Sequence, residues 1–370
     1  MEFKRLYTPH FFACYNENMA TLVEKLDGLS RPGWLSASGK NGALRCTACA
    51  HRCLIKPGSR GVCLMRSNLN GNLMVPWGYV AGVAVDPIEK KPFMHFLPGA
   101  KALTFGMLGC NFYCDFCQNW VSSQALRDPA SAGSGNYVQM VTPEELVNEA
   151  KAAGAEIIAS SYNEPLITTE WSIDIFTIAK KKGFRCVYVS NGFATKEVLN
   201  ALKPFLDGLK IDLKCMTDKK YRTLGGRLQV VLDSIKLAHE LGMWVEVVTL
   251  IIPSFNDSNE ELWEMSRALV SISADIPWHV TAFYPTYKHT DVGHTSAEIL
   301  QRAADIGQEA GLRFVYAGNL PGRVGSLENT NCPKCQQPLV RRSGYFVREN
   351  RITAEGLCPI CGETIPGIWH

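Results

Sequence analysis

The sequence contains no run of about 18 or more apolar residues, the length that a membrane-spanning helix needs. Residues 1–20 also lack the apolar stretch and small-residue cleavage site of a secretory signal. Charged residues make up only 20% of the chain, and 38 basic against 35 acidic side chains leave a formal charge of +3. This balance does not indicate a dedicated nucleic-acid binder or a membrane-surface protein. We therefore expect a soluble, cytoplasmic protein with no membrane partner.

Common nucleotide-binding and zinc-protease motifs are absent as well. There is no G-x-x-x-x-G-K-[ST] phosphate loop, no H-E-x-x-H, and no G-x-G-x-x-G after the first predicted strand. With 370 residues, 46% of them hydrophobic, the chain can bury a large core. At roughly 150 residues per domain, we expect two to three domains.

The 14 cysteines are the most informative feature, because most of them are clustered. The first group is Cys46, Cys49, Cys53 and Cys63, the second is Cys110, Cys114 and Cys117, the third is Cys332, Cys335, Cys358 and Cys361, and Cys14, Cys186 and Cys215 stand alone. A disulfide framework is typical of small secreted chains without a core, which this chain does not resemble. Ligation of metal ions or iron–sulfur clusters is the better interpretation.

Short apolar runs alternate with amphipathic segments between residues 101 and 319, which predicts repeated βα units. The predicted strands are Ala102–Leu108, Glu156–Tyr162, Arg185–Asn191, Gly208–Leu213, Trp244–Pro253, His279–Tyr284 and Arg313–Gly318. The fold class is thus α/β, with a parallel sheet that is either open and doubly wound or curled into a full or partial barrel. We expect a cysteine-containing N-terminal region over residues 1–100, the βα core over 101–324 and a small domain over 325–370. Ala130–Asn136 looks like an exposed loop inside the core.

The second cysteine group follows the first predicted strand directly, in the spacing C-x3-C-x2-C. Three thiolates can hold three irons of a [4Fe–4S] cluster and leave the fourth iron open to a substrate or cofactor. The alternative is an incomplete zinc site that a distant residue completes.

The two other groups have four cysteines each, enough for a closed site. The first can hold zinc or an auxiliary iron–sulfur cluster, or it can consist of free buried thiols. In the third, two C-x2-C units 22 residues apart predict a zinc ribbon. Four arginines of this region form either a basic face for nucleic acid or an acidic partner, or a solvated surface. They are Arg341, Arg342, Arg348 and Arg351.

The C-x3-C-x2-C motif, with the aromatic Phe116 before its last cysteine, resembles the radical S-adenosylmethionine (SAM) superfamily. Over nearly the whole chain the motifs resemble the radical SAM enzymes of the AmmeMemoRadiSam system and the pyruvate formate-lyase activating enzymes. The resemblance implies an oxidoreductase on a full or partial (β/α) barrel, with an iron–sulfur cluster that cleaves SAM. It also implies an electron donor such as flavodoxin or ferredoxin, and AMMECR1-like and Memo-like partner proteins.

The same resemblance implies a set of residues that bind SAM, namely Phe116, Glu164, Ser190, Asn191, Asp212 and Lys214. Glu164 faces the methionine ammonium from a turn in which Tyr162 and Asn163 replace two glycines of the relatives. Ser190 and Asn191 meet the ribose. Asp212 and Lys214 also carry the catalytic assignment, and strand alternation places them on one face. A solvated ion pair is the alternative for these two.

The substrate is not identified by any motif, so a small molecule, a protein and an RNA all remain open. One alternative is an activase that acts on a glycine of a glycyl-radical enzyme. Another is a non-catalytic iron–sulfur or zinc scaffold that binds a protein or nucleic acid. His279, His289 and His294 are candidates for proton transfer near the end of the sixth strand. The charged segment Asp86–Phe96 is either a solvated loop or part of the barrel mouth.

Overall fold

Short antiparallel strands build the segment before the main sheet. The computed structural model describes residues 22–370, so Cys14 lies outside the described residues. This segment holds helix α1 (Leu22–Gly28) and strands β1 (Ser30–Pro32), β2 (Ser36–Ser38), β3 (Leu44–Cys46), β4 (Leu54–Ile55), β5 (Ser67–Leu69), β6 (Asn72–Pro76) and β7 (Tyr79–Val80). The strands form two three-stranded sheets, β1-β6-β5 and β2-β3-β4. The first cysteine group lies at the end of β3 and in the loops on either side of β4.

The main sheet has eight strands. The next strands in the chain are β8 (Gly82–Pro87), β9 (Lys101–Gly106), β10 (Gln139–Met140), β11 (Ile157–Ser160), β12 (Arg185–Ser190), β13 (Gly208–Asp212), β14 (Trp244–Ile251), β15 (Trp278–Ala282) and β16 (Val315–Gly318). β10 pairs with β7, and the others are ordered β16-β15-β14-β13-β12-β11-β9-β8. All neighbours are parallel except the β8–β9 pair. This mixed sheet agrees with the partial form of the predicted barrel.

Helices connect the parallel strands. They are α2 (Trp120–Ser123), α3 (Pro143–Ala152), α4 (Thr169–Lys181), α5 (Lys196–Leu202), α6 (Asp218–Thr223), α7 (Leu228–Glu240), α8 (Asn259–Ile272) and α9 (Ala297–Glu309). Thr142 and Glu145 form a reciprocal capping box at the start of α3. No helix in residues 22–370 is long and apolar enough to cross a membrane.

The two faces of the sheet differ in what they contact. Leu103 and Phe105 of β9 pack in one core with residues of α3 and α4. Ala102, Thr104 and Gly106 alternate with them and therefore define the opposite, inner face. A Cβ on Gly208 would meet Phe93 and Phe96, which cover the amino end of this inner face. Polar side chains on the inner face thus point towards the interior of the partial barrel.

All seven predicted core strands are present, with ends shifted by a few residues. Strand β8, which lies antiparallel at the edge of the sheet, was not predicted. Most of Ala130–Asn136 is exposed, as expected, but Pro129–Tyr137 is a 3-10 helical stretch rather than an irregular loop, and Ser131 and Ser134 in it are buried.

The segment Asp86–Phe96 is not a solvated loop. Glu89, Lys91 and His95 are buried, and the segment begins at the amino end of β9, opposite the predicted barrel mouth. Glu89 pairs with Arg342 of the C-terminal region at 3.4 Å. The guanidinium of Arg342 is buried and forms hydrogen bonds with other groups of the protein. Arg342 therefore does not belong to the predicted basic surface.

The C-terminal region adds the antiparallel strands β17 (Thr330–Asn331), β18 (Pro338–Ser343) and β19 (Phe346–Asn350). Its apolar side chains pack with Phe314 and Tyr316 of the barrel and include Leu339, Val340, Ile365 and Trp369. On the exposed side, Glu349 pairs with Arg341 and Arg351, so this part of the predicted basic face is partly neutralised.

Candidate active site

The predicted site residues follow neighbouring parallel strands. Cys110 follows β9, Glu164 follows β11, Asn191 follows β12, and Asp212 ends β13. Because carboxyl ends of parallel strands lie at one edge of a sheet, these residues meet there. Direct contacts connect several of them.

The loop from Cys110 to Cys117 starts at a tight turn. Gly109 has a φ of 92°, and a Cβ there would stand 2.2 Å from Met65 Cγ, so only glycine fits. Several donors face the thiols of this loop. The Phe112 amide lies 3.3 Å from Cys110 Sγ, and Ser123 Oγ lies 3.3 Å from Cys117 Sγ. Burial raises the pKa of the Cys110 thiol, although the Phe112 amide acts to lower it.

The spacing of these sulfurs fits a cluster better than a single ion. In the described part of the chain, only the C-terminal group brings three or more ligand atoms all within 4.8 Å of one another. Each cysteine of an iron–sulfur cubane binds a different iron, so the sulfurs stand further apart than around one ion. The residues present at Cys110, Cys114 and Cys117 therefore fit a [4Fe–4S] cluster.

Glu164 is buried and bonded on both carboxylate oxygens. Oε1 accepts from Ser190 Oγ at 2.7 Å and from the Leu166 amide at 3.1 Å, and Oε2 accepts from the Asn191 amide at 2.8 Å. Burial raises the pKa of Glu164 to about 7, although these donors act to lower it. A carboxylate has about four lone-pair positions, so one remains for a further donor.

Asn191 connects this strand end to the cysteine loop. Its Nδ2 donates to Asn111 Oδ1 at 2.7 Å and lies 3.9 Å from Cys110 Sγ. Ser190 and Asn191 are thus adjacent to the predicted cofactor site, with their side chains bonded to protein atoms. Asn111 was not predicted, because nothing but its place between two cysteines distinguishes it in the sequence.

Tyr162 has a backbone conformation that glycine adopts readily. Its φ is 69°, in the left-handed region that disfavours side chains. Its ring packs on the inner face of the sheet, where a Cβ on Gly106 would come within 2.9 Å of it. Asn163 Oδ1 accepts the Met107 amide at 3.0 Å and thereby holds the turn against the start of the cysteine loop.

Asp212 lies between two lysines. Lys214 Nζ is 3.2 Å from Asp212 Oδ2, and Lys210 donates to Oδ1. Burial would raise the pKa of Asp212, but Lys210 and Lys214 outweigh it and lower the pKa to about 2. The shared face of Asp212 and Lys214 is confirmed. Lys210 was missed, although a lysine at the alternate position of a buried strand was a visible signal.

Aromatic side chains surround Lys214 and the cysteine loop. The Lys214 Nζ stands 5.9 Å from the centre of the buried Phe116 ring, which also contacts Phe255 and His289. His289 Nδ1 lies 3.1 Å from Asp115 Oδ2 of the loop, so this histidine is at the predicted place.

The prediction for His279 was wrong. It lies at the amino end of β15, not at the carboxyl end, and bonds to the buried Glu246 at 2.7 Å. His294 stacks on Tyr284, with ring centres 6.0 Å apart. In this structure His289 is thus the predicted histidine that contacts the cysteine loop.

The third cysteine group forms a compact four-sulfur site. Cys332 and Cys361 sulfurs are 3.5 Å apart, and those of Cys335 and Cys358 are 3.7 Å apart. A tetrahedral zinc ion with Zn–S bonds of about 2.3 Å requires sulfurs about 3.8 Å apart. All four sulfurs lie within 4.8 Å of one another, so the group can hold one metal ion.

Comparisons with known proteins identify the family of this chain. The family model of the Radical SAM superfamily matches residues 105–269. Uncharacterized protein MJ0808 of Methanocaldococcus jannaschii is 39% identical over 325 residues, which cover 87% of this chain and 95% of that protein. The pyruvate formate-lyase-activating enzyme of Clostridium pasteurianum is 23% identical, over 47% of this chain and 71% of its own. The crystal structure of SuiB from Streptococcus suis matches 63% of this chain and 52% of its own, with 15% identity and a TM-score of 0.45.

The α/β sheet and the three-cysteine loop at its carboxyl edge define an iron–sulfur enzyme. The chain belongs to the radical SAM superfamily, whose members bind a [4Fe–4S] cluster and SAM. This membership favours an enzyme over the non-catalytic scaffold considered from the sequence.

Proposed function

We propose that this enzyme reductively cleaves SAM at a [4Fe–4S] cluster held by Cys110, Cys114 and Cys117. When bound, the cluster supplies one electron to the sulfonium of SAM, and the 5′-deoxyadenosyl radical so released abstracts hydrogen from a substrate. The observation that carries this proposal is the meeting of one three-cysteine loop with Glu164, Asn191, Asp212 and Lys214 at the carboxyl edge of the sheet.

The charged residues match the groups of SAM that need partners. The free lone-pair position of Glu164 is available to an N–H of the SAM amino group, and Lys214 offers its cation to the SAM carboxylate. Lys214 is close enough to Cys114 to lower the pKa of its thiol, against a larger effect of burial, so it lies beside the proposed cluster. In this account Asp212 holds both lysines in place at the site.

Ser190, Asn191 and Phe116 complete the proposed SAM site. Ser190 and Asn191 fix Glu164 and the cysteine loop, and we keep the proposal that they also face the ribose. Phe116, packed against Phe255, offers an apolar surface for the adenine. Packed aromatic walls also exclude water from the site.

A glycyl-radical activase is the second candidate, because relatives of this chain carry such names. One is the enzyme from Clostridium pasteurianum, and another is a putative glycyl-radical enzyme activating enzyme of Methanocaldococcus jannaschii, 29% identical over 44% of this chain. In either case the enzyme needs a one-electron donor, for which a flavodoxin or ferredoxin is suitable. AMMECR1-like and Memo-like proteins are the proposed partners to test first as sources of the substrate.

We also propose that residues 325–370 form a zinc-ribbon domain on Cys332, Cys335, Cys358 and Cys361. The sulfur separations of 3.5 and 3.7 Å are those of a single tetrahedral ion. Metal analysis tests this assignment. A Cys335→Ser/Cys361→Ser variant should lose one equivalent of zinc and keep its iron, whereas loss of iron would contradict zinc at this site.

The test of the main proposal is the formation of 5′-deoxyadenosine and methionine from SAM by anaerobically reconstituted, dithionite-reduced protein. The wild type should form both products in equal amounts, and Cys110→Ala/Cys114→Ala/Cys117→Ala should form neither. The control is Cys186→Ala, which removes a buried cysteine that faces away from the site. Equal product formation by the triple variant would overturn the proposal.

A further inference from the structure

The four N-terminal cysteines converge around one small loop system. The Cys46 amide donates to the Cys53 carbonyl at 2.9 Å. The Val62 amide, next to Cys63, donates to Cys53 Sγ at 3.3 Å. Cys46, Cys49 and Cys63 are buried, and all four are free thiols. Four thiols gathered in one loop system provide a complete ligand set for a metal centre.

The spacing of these four sulfurs differs from that of the C-terminal group. In residues 22–370 only the C-terminal group meets the 4.8 Å limit for a single ion. The N-terminal sulfurs are more dispersed, as are those of Cys110, Cys114 and Cys117. Four cysteines that lie in one loop system but do not meet the limit for a single ion can instead hold a cluster, in which each thiolate binds its own iron.

Two buried N–H groups border the N-terminal cysteines without a partner in the described structure. They are Arg66 Nε and Asn111 Nδ2. Arg66 lies beside Cys46 and Cys63, and Asn111 lies beside Cys49. An unpaired buried donor costs about 1–3 kcal/mol. The thiolate and sulfide sulfurs of a cluster would accept both N–H groups.

The same residues connect the N-terminal group to the Cys110 loop. Asn111 is the neighbour of Cys110, and its carbonyl lies 3.0 Å from His51 Nε2. Arg127 donates to the Val62 carbonyl at 2.8 Å and to the Cys110 carbonyl at 3.4 Å. At Asn111, a single residue therefore separates the two cysteine groups.

We infer that Cys46, Cys49, Cys53 and Cys63 bind a second iron–sulfur cluster, which delivers electrons to the cluster at Cys110, Cys114 and Cys117. A low-potential one-electron donor reduces the second cluster by one electron. That cluster returns to its oxidised state as the same electron passes to the Cys110 site, and no bond or proton is exchanged. The existence of the second cluster is independent of the proposed function, and only the direction of electron flow rests on it.

Metal and sulfide analysis of two matched variants tests this inference. Cys110→Ala/Cys114→Ala/Cys117→Ala removes one group, and Cys49→Ala/Cys53→Ala disrupts the other. After anaerobic reconstitution, each should retain about half of the wild-type iron and sulfide. The electron paramagnetic resonance signal of Cys110→Ala/Cys114→Ala/Cys117→Ala should be unchanged when SAM is added. The signal of Cys49→Ala/Cys53→Ala should change when SAM is added. Cys186→Ala should keep both clusters.

A triple variant that is folded, contains no iron and holds two equivalents of zinc would overturn the inference. Folding is checked by circular dichroism and gel filtration against the Cys186→Ala control. If the triple variant does not fold, Cys49→Ala/Cys53→Ala decides alone, because unchanged iron and sulfide contents in that variant would also overturn it.

Asn111→Leu gives a second readout that does not depend on turnover. Asn111→Leu is made in the Cys110→Ala/Cys114→Ala/Cys117→Ala variant, which keeps only the N-terminal cluster. Loss of the Asn111 N–H should make the midpoint potential of that cluster more negative, because a hydrogen bond to sulfur stabilises the reduced state. Asn200→Leu, at an exposed position on α5, is the control and should leave the potential unchanged. An unchanged midpoint potential in Asn111→Leu would contradict a hydrogen bond from Asn111 to the N-terminal cluster.

Discussion

Tyr162 covers Lys91 on the inner face of the sheet. The Lys91 Nζ lies 4.8 Å from the centre of the tyrosine ring and 3.3 Å from its hydroxyl. This contact joins the turn after β11 to the segment after β8, so a residue of the site depends on a segment 71 positions earlier. The contact is made by a residue whose φ of 69° lies in the left-handed region that disfavours side chains.

Two substitutions of Tyr162 separate the destabilising effect of its backbone conformation from the stabilising effect of its ring. Tyr162→Gly and Tyr162→Val both remove the ring, but only valine keeps a side chain in the left-handed region. We expect Tyr162→Gly to be more stable than Tyr162→Val by about 1–2 kcal/mol in chemical denaturation. Equal stability of the two variants would show that the turn relaxes to another conformation.

Asp212→Asn should reduce SAM cleavage by roughly 100-fold without loss of iron. The amide cannot hold the cations of Lys210 and Lys214 as the carboxylate does. The measurement compares product formation and iron content in Asp212→Asn with those in the control Asp233→Asn, which lies at an exposed position on α7. If Asp212→Asn retained wild-type rates, the proposed role of the charged cluster would be wrong.

Acid should destabilise the protein through His95. Burial lowers the pKa of His95 to about 4, although Glu246 acts to raise it. In the unfolded chain the pKa is about 6.5, so the folded state favours the neutral ring. The stabilisation is present above pH 6.5 and is lost as the pH falls towards 4, by at most roughly 3 kcal/mol.

The measurement is the melting temperature between pH 7.5 and about 5, where His95 contributes the start of this loss. His95→Phe should show a smaller decrease over the same range than the wild type. Parallel curves for the two proteins would mean that other groups, Glu246 among them, account for the whole pH dependence.

The buried pair of Glu89 and Arg342 should be a strong link between the barrel and the C-terminal region. Arg342→Met leaves the carboxylate buried without its cation, at a cost of about 3–5 kcal/mol. Arg342→Met/Glu89→Leu should recover a large part of that loss, because both charges are then gone. Urea denaturation measures the coupling, and strictly additive effects would contradict a direct interaction.

The core strands could be predicted from sequence because each is a local apolar run. The buried polar pairs could not. Glu89 and Arg342 are 253 positions apart, and each stands in a charged stretch that is typical of a surface. His279 already begins its predicted strand, which places it away from the carboxyl end, but its pairing with Glu246 on a neighbouring strand could not be predicted. Nothing local in the sequence encodes these pairings.

The cysteines show a similar division. Their spacing identified all three groups, because ligands of one site often lie a few residues apart. The kind of metal centre depends on the distances between sulfurs, which differ between the C-terminal and N-terminal groups. Those distances are set by how the loops pack, and residues such as Asn111 and Arg66 take part in that packing.

The central claim is the proposal that SAM is bound and cleaved at the cluster held by Cys110, Cys114 and Cys117, with the SAM amino group next to the iron that has no cysteine ligand. Electron–nuclear double resonance on the reduced protein, with SAM carrying ¹⁵N in its amino group, tests this most directly. We predict a ¹⁵N coupling to the cluster in the wild type and in Cys49→Ala/Cys53→Ala, and none in Cys110→Ala/Cys114→Ala/Cys117→Ala. Absence of the coupling in wild-type protein with a verified reduced cluster would contradict the account.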